Sequence, residues 1–297
     1  MLVRSVSLAA MSVIALLGAT ACSPTDDNAA DSNTTAGNTT PTVSAAAGEC
    51  DKSKLSLQTP GAFTVATDNP AYEPWFSENK PSNGKGYESA VAYAVAEKLG
   101  FEPSEVTWVT ASFNTVVTPG RKNFDVDINQ VSISEERKKA VDFSAGYYDV
   151  AQTVVSYNGS KIAKATSLAQ LKDAKLGAQV GTTSYRTITD TIKPSKKPSV
   201  YDTNDLAVQA LKNKQIDGIV VDLPTGFYMS AAQLDNGKIV GQISSGSSPE
   251  QFGFVLGKGS KLTACVSKAV DALRGEGALA RLQQEWLATA GGAPELK

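Results

Sequence analysis

Apolar residues along the chain follow two periods, and stretches of the two periods alternate. Short runs with apolar residues at every second position, typical of half-buried strands, precede stretches with the three-to-four spacing of amphipathic helices. In the first half of the chain this pattern predicts strands at residues 63–67, 106–109 and 125–129 and helices at residues 86–99 and 113–117. Strands and helices in this order indicate a parallel sheet with helices on both faces.

The same plan occurs a second time after an extended crossing at residues 150–157. It predicts helices at 167–172, 181–192, 204–213, after Pro224, at 261–273 and at 278–288, and strands at 175–179, 199–201, 217–221, near Lys238 and at 252–256. We therefore expect an α/β protein of two lobes. Lobe 1 comprises residues 50–152 and 254–297, and lobe 2 comprises residues 153–253. Two crossings, near 150–157 and 250–257, suit a hinge that closes on a ligand.

The stretch at residues 125–143 carries the strongest chemical signal. After its strand, residues 132–135 fit a capping box that starts a short helix. Backbone N–H groups at a helix start attract anions, and the guanidinium group of Arg137 is a good receptor for a carboxylate. Two alternatives are open: Arg137 is a solvated charge paired with a neighbouring glutamate, or the stretch is a calcium loop. Gln130 stands where a calcium loop requires glycine.

Composition narrows the classes of function. The 297-residue chain has a formal net charge of −2, so it lacks the cationic excess that draws proteins to nucleic acid. It contains no histidine, which excludes Ser-His-Asp and Cys-His catalysis and histidine-based zinc sites. Binding is favoured over catalysis. We expect a monomer that is not an enzyme and uses no metal or cofactor.

The amino terminus predicts export. Arg4, the apolar run at residues 8–17 and the small residues before Cys22 are typical of a signal peptide at residues 1–21. This arrangement resembles a bacterial lipobox, which implies cleavage before Cys22 and its acylation; plain secretion is the alternative. Residues 22–49 are rich in Ser, Thr, Asn, Asp and Ala and predict a flexible tether. We expect a lipid anchor on the outer face of a bacterial cell membrane.

Two further cysteines, Cys50 and Cys265, lie in the region predicted to fold. In an exported chain an even pair most simply forms a disulfide. The bond would link the start of the folded region to a helix near the carboxyl end. Two buried free thiols are the alternative.

Three motifs occur in order along the chain. They are Ser-Ile-Ser-x-x-Arg at 132–137 followed by Asp-Phe-Ser at 142–144, then Gln-Val-Gly-Thr-Thr at 179–183, then Ile-Asp-Gly at 216–218 leading to Asp222. Together they resemble the family 3 solute-binding proteins, which serve ABC importers of polar amino acids. The resemblance implies a two-lobed, periplasmic-binding-protein-like fold of type II. Such a protein captures its ligand by hinge closure and delivers it to the permease subunits in the membrane.

The resemblance implies that Arg137 binds the α-carboxylate of the ligand. The backbone amides of Ser132, Thr182 and Thr183 would assist. The two threonines could also be simple helix caps, which is compatible with binding through the same amides.

At the other end of the ligand, the resemblance implies that Asp222 binds the α-ammonium group. The hydroxyl of Ser132 and the carbonyl of Asn129 or Gln130 would accept further hydrogen bonds. Asp222 as a helix N-cap is the alternative.

The walls of the implied pocket are aromatic, formed by Tyr72, Trp75 and Phe113. Trp75 and Phe113 could instead be core aromatics. Asp68 would favour a cationic or amide side chain, whereas Lys85 and Arg186, if not simply solvated, would read an acidic one.

Gln130 departs from the family, which usually has Gly or Ser there. A larger amide narrows the pocket or contacts the ligand side chain. The order of ligand preference is glutamine, glutamate, then a related polar amino acid. Two alternative functions are open. The protein could be a sensory receptor, or it could be a dehydratase whose general acid is Glu73, Glu88 or Asp68.

Overall fold

The structure is a computed structural model that describes residue 48 and residues 50–244, 249–287 and 292–297. The expected signal peptide, the acylated Cys22 and nearly all of the tether lie outside the described residues. Within them, every helix is too short or too polar to cross a membrane.

The strands and helices lie close to their predicted positions. The strands are β1 (Phe63–Thr67), β2 (Val106–Thr110), β3 (Val126–Asp127), β4 (Val141–Val150), β5 (Gln152–Tyr157), β6 (Leu176–Gln179), β7 (Ser199–Tyr201), β8 (Gly218–Asp222), β9 (Gly237–Ile243) and β10 (Glu250–Gly257). The helices are α1 (Tyr87–Lys98), α2 (Phe113–Val117), α3 (Thr183–Arg186), α4 (Asn204–Lys212), α5 (Leu223–Tyr228), α6 (Thr263–Gly275) and α7 (Ala278–Leu287). Residues 168–171 form a 3-10 turn instead of the expected helix, and a π-helical turn at Thr187–Ile192 extends α3.

Both sheets are mixed, which corrects the expectation of a parallel sheet. The first has the order β2-β1-β3-β10-β4, with β1 parallel to β2 and β3 and β10 antiparallel to β3 and β4. The second has the order β7-β6-β8-β5-β9, with β5 antiparallel to β8 and β9. The strands that run against the others are β10 in the first sheet and β5 in the second, and each is the first strand to enter its sheet after a crossing. A strand that arrives from the other sheet can enter in either direction, and hydrophobic period does not reveal direction.

The first lobe contains a smaller apolar cluster, which includes Ala66 and Val255, and one large apolar core. Helices α1, α6 and α7 contribute to it together with buried aromatic side chains from β1, β10 and the loop after β1. Cys50 and Cys265 form a disulfide across this core, with their Cα atoms 5.3 Å apart, as the even cysteine pair predicts. The disulfide therefore joins the first described segment of the chain to α6.

The second lobe has two smaller cores on opposite faces of its sheet. Val154 and Val220 face one cluster, whereas their neighbours Val155, Ile219 and Val221 face the other. This alternation follows from the period of two along a strand. Helix α4 covers the second face with its buried alanine, valine and leucine side chains.

The carboxyl-terminal segment returns to the second lobe, although residues 254–297 were expected in the first. Glu295 bridges to Gln242 of β9, and Leu296 is buried in a core cluster of the second lobe. The backbone N–H of Leu296 donates to the carbonyl of Gln242 at 2.9 Å. Residues 292–297 are too few to show a hydrophobic period, so the sequence pattern could not place them.

Candidate functional site

A narrow cavity of about 40 Å³ lies between the two lobes. Each lobe contributes seven lining residues. They are Asp68, Tyr72, Phe113, Asn129, Gln130, Ser132 and Arg137 from the first lobe, and Gln179, Thr182, Thr183, Ser184, Asn204, Asp222 and Thr225 from the second. The cavity therefore contains all but one of the eleven residues that the sequence proposes for ligand binding, the exception being Trp75.

Four lining residues were not predicted from the sequence to bind the ligand. Ser184, Asn204 and Thr225 lie in the first turns of α3, α4 and α5, and Gln179 ends β6. Residues just beyond the carboxyl ends of parallel strands line the crevice of an open α/β sheet. That rule, applied to the predicted strands of the second lobe, is the signal that could have found them.

Trp75 does not line the cavity, which corrects the expectation that it stacks on the ligand. It is completely buried in the first core, where Tyr87, Tyr148 and Phe252 meet its ring edge-on. Its indole Nε1 donates to Thr225 Oγ1 of the second lobe at 2.9 Å. Trp75 thus belongs to the core and reaches the cavity through the hydroxyl of Thr225.

Arg137 is only 9% exposed and bridges the two lobes. Its guanidinium group donates to the carbonyl of Ser132 at 2.7 Å and to the carbonyl of Gly181 at 2.9 Å, and it lies over the Phe113 ring at 5.3 Å. Burial lowers the pKa of Arg137 to about 10, so the group stays cationic at neutral pH. A guanidinium has five N–H donors, so these two bonds leave capacity for a further acceptor.

The segment around Arg137 is not the helix that the capping box predicts. Only Arg137–Lys139 forms a 3-10 turn, and it is Ser134, rather than Ser132, whose hydroxyl accepts from the backbone N–H of Arg137 at 3.2 Å. Ser132 instead bridges to Phe252 of β10. The pairing of residues 131–133 with β10 holds this segment extended, and a local pattern cannot predict that long-range pairing.

Asp222 ends β8 and stands at the N-cap position of α5, yet its side chain makes no capping bond. Its Oδ1 accepts from Gln152 Nε2 at 2.7 Å, and the same amide lies 3.4 Å from Glu250 Oε2. Burial and the nearby Glu250 carboxylate raise the pKa of Asp222 to about 8. Gln152 is the first residue of β5 and Glu250 is the first residue of β10, the two strands at the crossings. The side-chain amide of Gln152 therefore connects Asp222 to both crossings between the lobes.

Other contacts across the cavity join the two lobes directly. Ser132 Oγ lies 3.3 Å from Thr183 Oγ1, and Arg186 pairs with Glu136 at 3.1 Å. Gly181 approaches the first lobe so closely that a Cβ there would lie 3.3 Å from Asn114 Oδ1, and its φ of +73° also favours glycine. Lys85 is exposed and does not line the cavity.

The calcium-loop and general-acid alternatives find little support in this geometry. The carboxylate of Asp125 accepts from the backbone N–H groups of Gln58 and Thr64, and no cluster of metal-binding side chains occurs among the described residues. Glu73 is bonded to Ser77, and Glu88 lies behind Gln130. Of the three candidate acids, Asp68 alone lines the cavity.

Comparison with known proteins agrees with the fold and the motifs. The model of the bacterial extracellular solute-binding proteins, family 3, matches residues 63–289. The chain belongs to this family. The family is one of bacterial extracellular solute-binding proteins, and relatives of this chain are named for the amino acids that they bind.

Family 3 relatives of this chain bind different amino acids. The arginine-binding extracellular protein ArtP of Bacillus subtilis (strain 168) is 27% identical over 222 residues, covering 72% of this chain and 82% of ArtP. The L-cystine-binding protein TcyJ of Escherichia coli (strain K12) is 28% identical, covering 72% and 79% of the two chains. A solved ancestral arginine-binding protein bound to glutamine is 28% identical with a TM-score of 0.64, covering 77% and 98%.

Proposed function

We propose that this protein is the substrate-binding component of an ABC importer. It captures a polar amino acid between its lobes by hinge closure and delivers the ligand to the permease subunits in the membrane. The observation that carries the proposal is the pairing, in one cavity between two lobes, of a buried guanidinium group with a carboxylate. An amino acid is a zwitterion and needs both groups at opposed ends.

In this proposal Arg137 binds the α-carboxylate and Asp222 binds the α-ammonium group. The backbone amides of Ser132, Thr182 and Thr183 assist at the carboxylate end. The carbonyl of Asn129 or Gln130 and the hydroxyl of Ser132 accept hydrogen bonds at the other end. Support comes from the bonds that Arg137 already makes to carbonyl groups of both lobes.

Asp68, Tyr72 and Phe113 form the walls that contact the ligand side chain. Support comes from their position on the cavity, with Phe113 also under the guanidinium group of Arg137. Relatives bind arginine, cystine and glutamine, so we expect the ligand of this protein to be an amino acid with a polar side chain.

The tether and the acylated Cys22 that the sequence predicts are part of this proposal. Acyl chains on Cys22 would hold the two lobes at the outer face of the membrane, close to the permease. Mass spectrometry of the protein from cells should find a lipid-modified Cys22 as the first residue. An unmodified Cys22 would exclude the anchor and leave the binding function in place.

A thermal-shift screen against the twenty amino acids tests the binding function. Because a ligand that binds only the folded state raises the melting temperature, at least one polar amino acid should do so in a concentration-dependent way. The absence of any shift would contradict the proposal. Analysis of the same ligands for reaction products after incubation with the protein distinguishes binding from enzymatic turnover. A measurement of amino acid uptake by whole cells distinguishes an importer subunit from a sensor.

A further inference from the structure

Glu88 is a fully buried carboxylate with no assigned role in binding, and it lies directly behind the cavity. It is 0% exposed and sits in the first turn of α1. Gly86, just before it, lets the helix start lie against the chain at residues 75–76, where a Cβ would come within 2.7 Å of backbone atoms. The backbone N–H of Glu88 donates to the carbonyl of Trp75 at 3.0 Å. The position of Glu88 is therefore fixed by the core of the first lobe.

Gln130 is the main partner of this carboxylate. The backbone N–H of Gln130 donates to Glu88 Oε1 at 2.7 Å, and its side-chain Nε2 donates to Glu88 Oε2. The hydroxyl of Tyr147 donates a third hydrogen bond to Oε1. Burying a carboxylate is costly unless several donors surround it, and here two of the three come from one residue on the cavity wall.

The backbone of Gln130 adopts a conformation that glycine would take at lower cost. Its φ is +49°, in the left-handed region that side chains other than Asn and Asp rarely adopt. The two bonds to Glu88 hold the residue there. A glutamine kept in this conformation presents its side chain at a defined point of the cavity.

The bonding pattern determines which end of the Gln130 amide faces the ligand. Burial raises the pKa of Glu88 to about 7, so at pH 8 the group is mostly ionised and only accepts hydrogen bonds. It then faces the NH2 group of Gln130, which leaves the amide oxygen for the cavity. No group in the part of the chain that the structure describes donates to Gln130 Oε1. The cavity therefore receives an acceptor at this point.

The charges around the cavity agree with this polarity. Arg137 is the one cation among the described lining residues, whereas Asp68 and Asp222 also line the cavity. Asp127, 0% exposed and with neither oxygen paired among the described residues, lies behind this wall, and its burial together with the Glu88 and Asp68 carboxylates raises its pKa well above the ordinary value. A second ligand carboxylate placed beside Gln130 would face the amide oxygen of Gln130 and the side chain of Asp68 instead of a second cation.

We infer that Glu88 is a positioning residue that fixes the amide oxygen of Gln130 toward the cavity. The site therefore selects amino acids whose side chains donate hydrogen bonds and rejects those whose side chains end in a carboxylate. This inference rests on the proposed function. It removes glutamate from the expected ligands and keeps glutamine and the amino acids with cationic side chains.

The test is a set of binding titrations by calorimetry at pH 8 with glutamine, asparagine, arginine, lysine, histidine, glutamate and aspartate. The best ligand should be one of the first five, and glutamate and aspartate should bind at least about 100-fold more weakly, since a site built for a donor rejects ligands that lack it. Glu88→Gln offers Gln130 either an acceptor or a donor, so the amide can turn. The preference should then fall to about tenfold or less.

Two further variants guard against a folding defect. Gln130→Gly suits the positive φ and removes the amide, and it should also reduce the preference while binding through the α-groups persists. Glu97→Gln, at an exposed position of the same helix, is the matched control and should leave the preference unchanged.

The outcomes are distinguishable. If no amino acid binds, the proposed function fails and this inference fails with it. If the wild-type protein binds glutamate or aspartate within tenfold of its best ligand, or prefers a ligand without a side-chain donor, the inference alone fails. An unchanged preference in both folded variants would also refute it.

Discussion

The two faces of the cavity are built differently. On the first lobe, the polar groups are bonded within that lobe: Gln130 to the buried Glu88, Arg137 in part to the Ser132 carbonyl, and the backbone N–H of Phe113 to Asp68. On the second lobe, Asp222 is tied to Gln152 at the crossing. The first lobe thus offers a site fixed by bonds within that lobe, whereas the second offers groups placed next to the hinge. We expect the ligand to dock on the first lobe and the second lobe to close over it.

The largest expected effect concerns the stability of the first lobe. Its core carries the disulfide between Cys50 and Cys265, which closes a loop of 215 residues. In the chain-entropy model, replacing both cysteines with alanine lowers the free energy of unfolding by up to about 5 kcal/mol. Denaturant titration measures the change, and ligand affinity at low temperature should stay the same. A large loss of affinity in the folded variant would show that the disulfide shapes the cavity itself.

The next effect compares the charged groups that the two lobes place on the cavity. Arg137→Ala leaves a ligand carboxylate without its cation and should weaken binding by about 3 kcal/mol, or roughly 100-fold or more. Asp222→Asn keeps an acceptor and should cost less, on the order of tenfold. Calorimetry on both variants measures the two losses of affinity, and the loss in Arg137→Ala should be the larger. An Arg137 variant that binds as tightly as the wild-type protein would remove the proposed site.

The sequence predicted most elements of the fold because hydrophobic period is a local property. Helices α1, α4, α6 and α7 and most strands of both lobes follow directly from it. Strand direction, the extended segment at Ser132 and the position of residues 292–297 depend on pairing between distant parts of the chain. A local pattern carries no information about such pairing.

For the candidate site, the family motifs located residues on the cavity but not their partners. Trp75 is the clearest case, because composition alone cannot distinguish a pocket aromatic from a core one. The contact between Glu88 and Gln130 joins positions 42 residues apart, and only the folded chain brings them together. The motifs were therefore sufficient to locate the cavity. They could not reveal its polarity, because that depends on contacts between residues far apart in the sequence.

A third effect is the pH dependence of binding through Asp222. In the empty protein its pKa is about 8, above the ordinary value of 3.8, because of burial and the Glu250 carboxylate; Glu88 adds to the shift, whereas Arg137 and the Gln152 bond oppose it. A ligand ammonium group binds the carboxylate more tightly than the neutral acid, so affinity should rise between pH 6 and pH 8, by up to about tenfold in all. Calorimetry across this range should show the rise in the wild-type protein and a flatter profile in Asp222→Asn.

The same carboxyl affects stability with a defined sign. Because its pKa is higher in the folded than in the unfolded state, the folded state loses stability as pH rises from about 4 to about 8. Asp222→Asn should therefore raise the melting temperature of the empty protein more at pH 8 than at pH 5. An equal change at both values would mean that Asp222 ionises normally.

The smallest expected effect tests the bond that links the first core to the second face. Trp75 Nε1 donates to Thr225 Oγ1 at 2.9 Å across the boundary between the lobes. In a double-mutant cycle of Trp75→Phe and Thr225→Val, the bond should appear as a coupling of about 1 kcal/mol in ligand affinity. Thr225→Ser retains the hydroxyl and serves as the control, with little coupling lost. If the two single changes add without coupling, the closed state does not depend on this bond, and the two lobes are held together by Arg137 and the ligand instead.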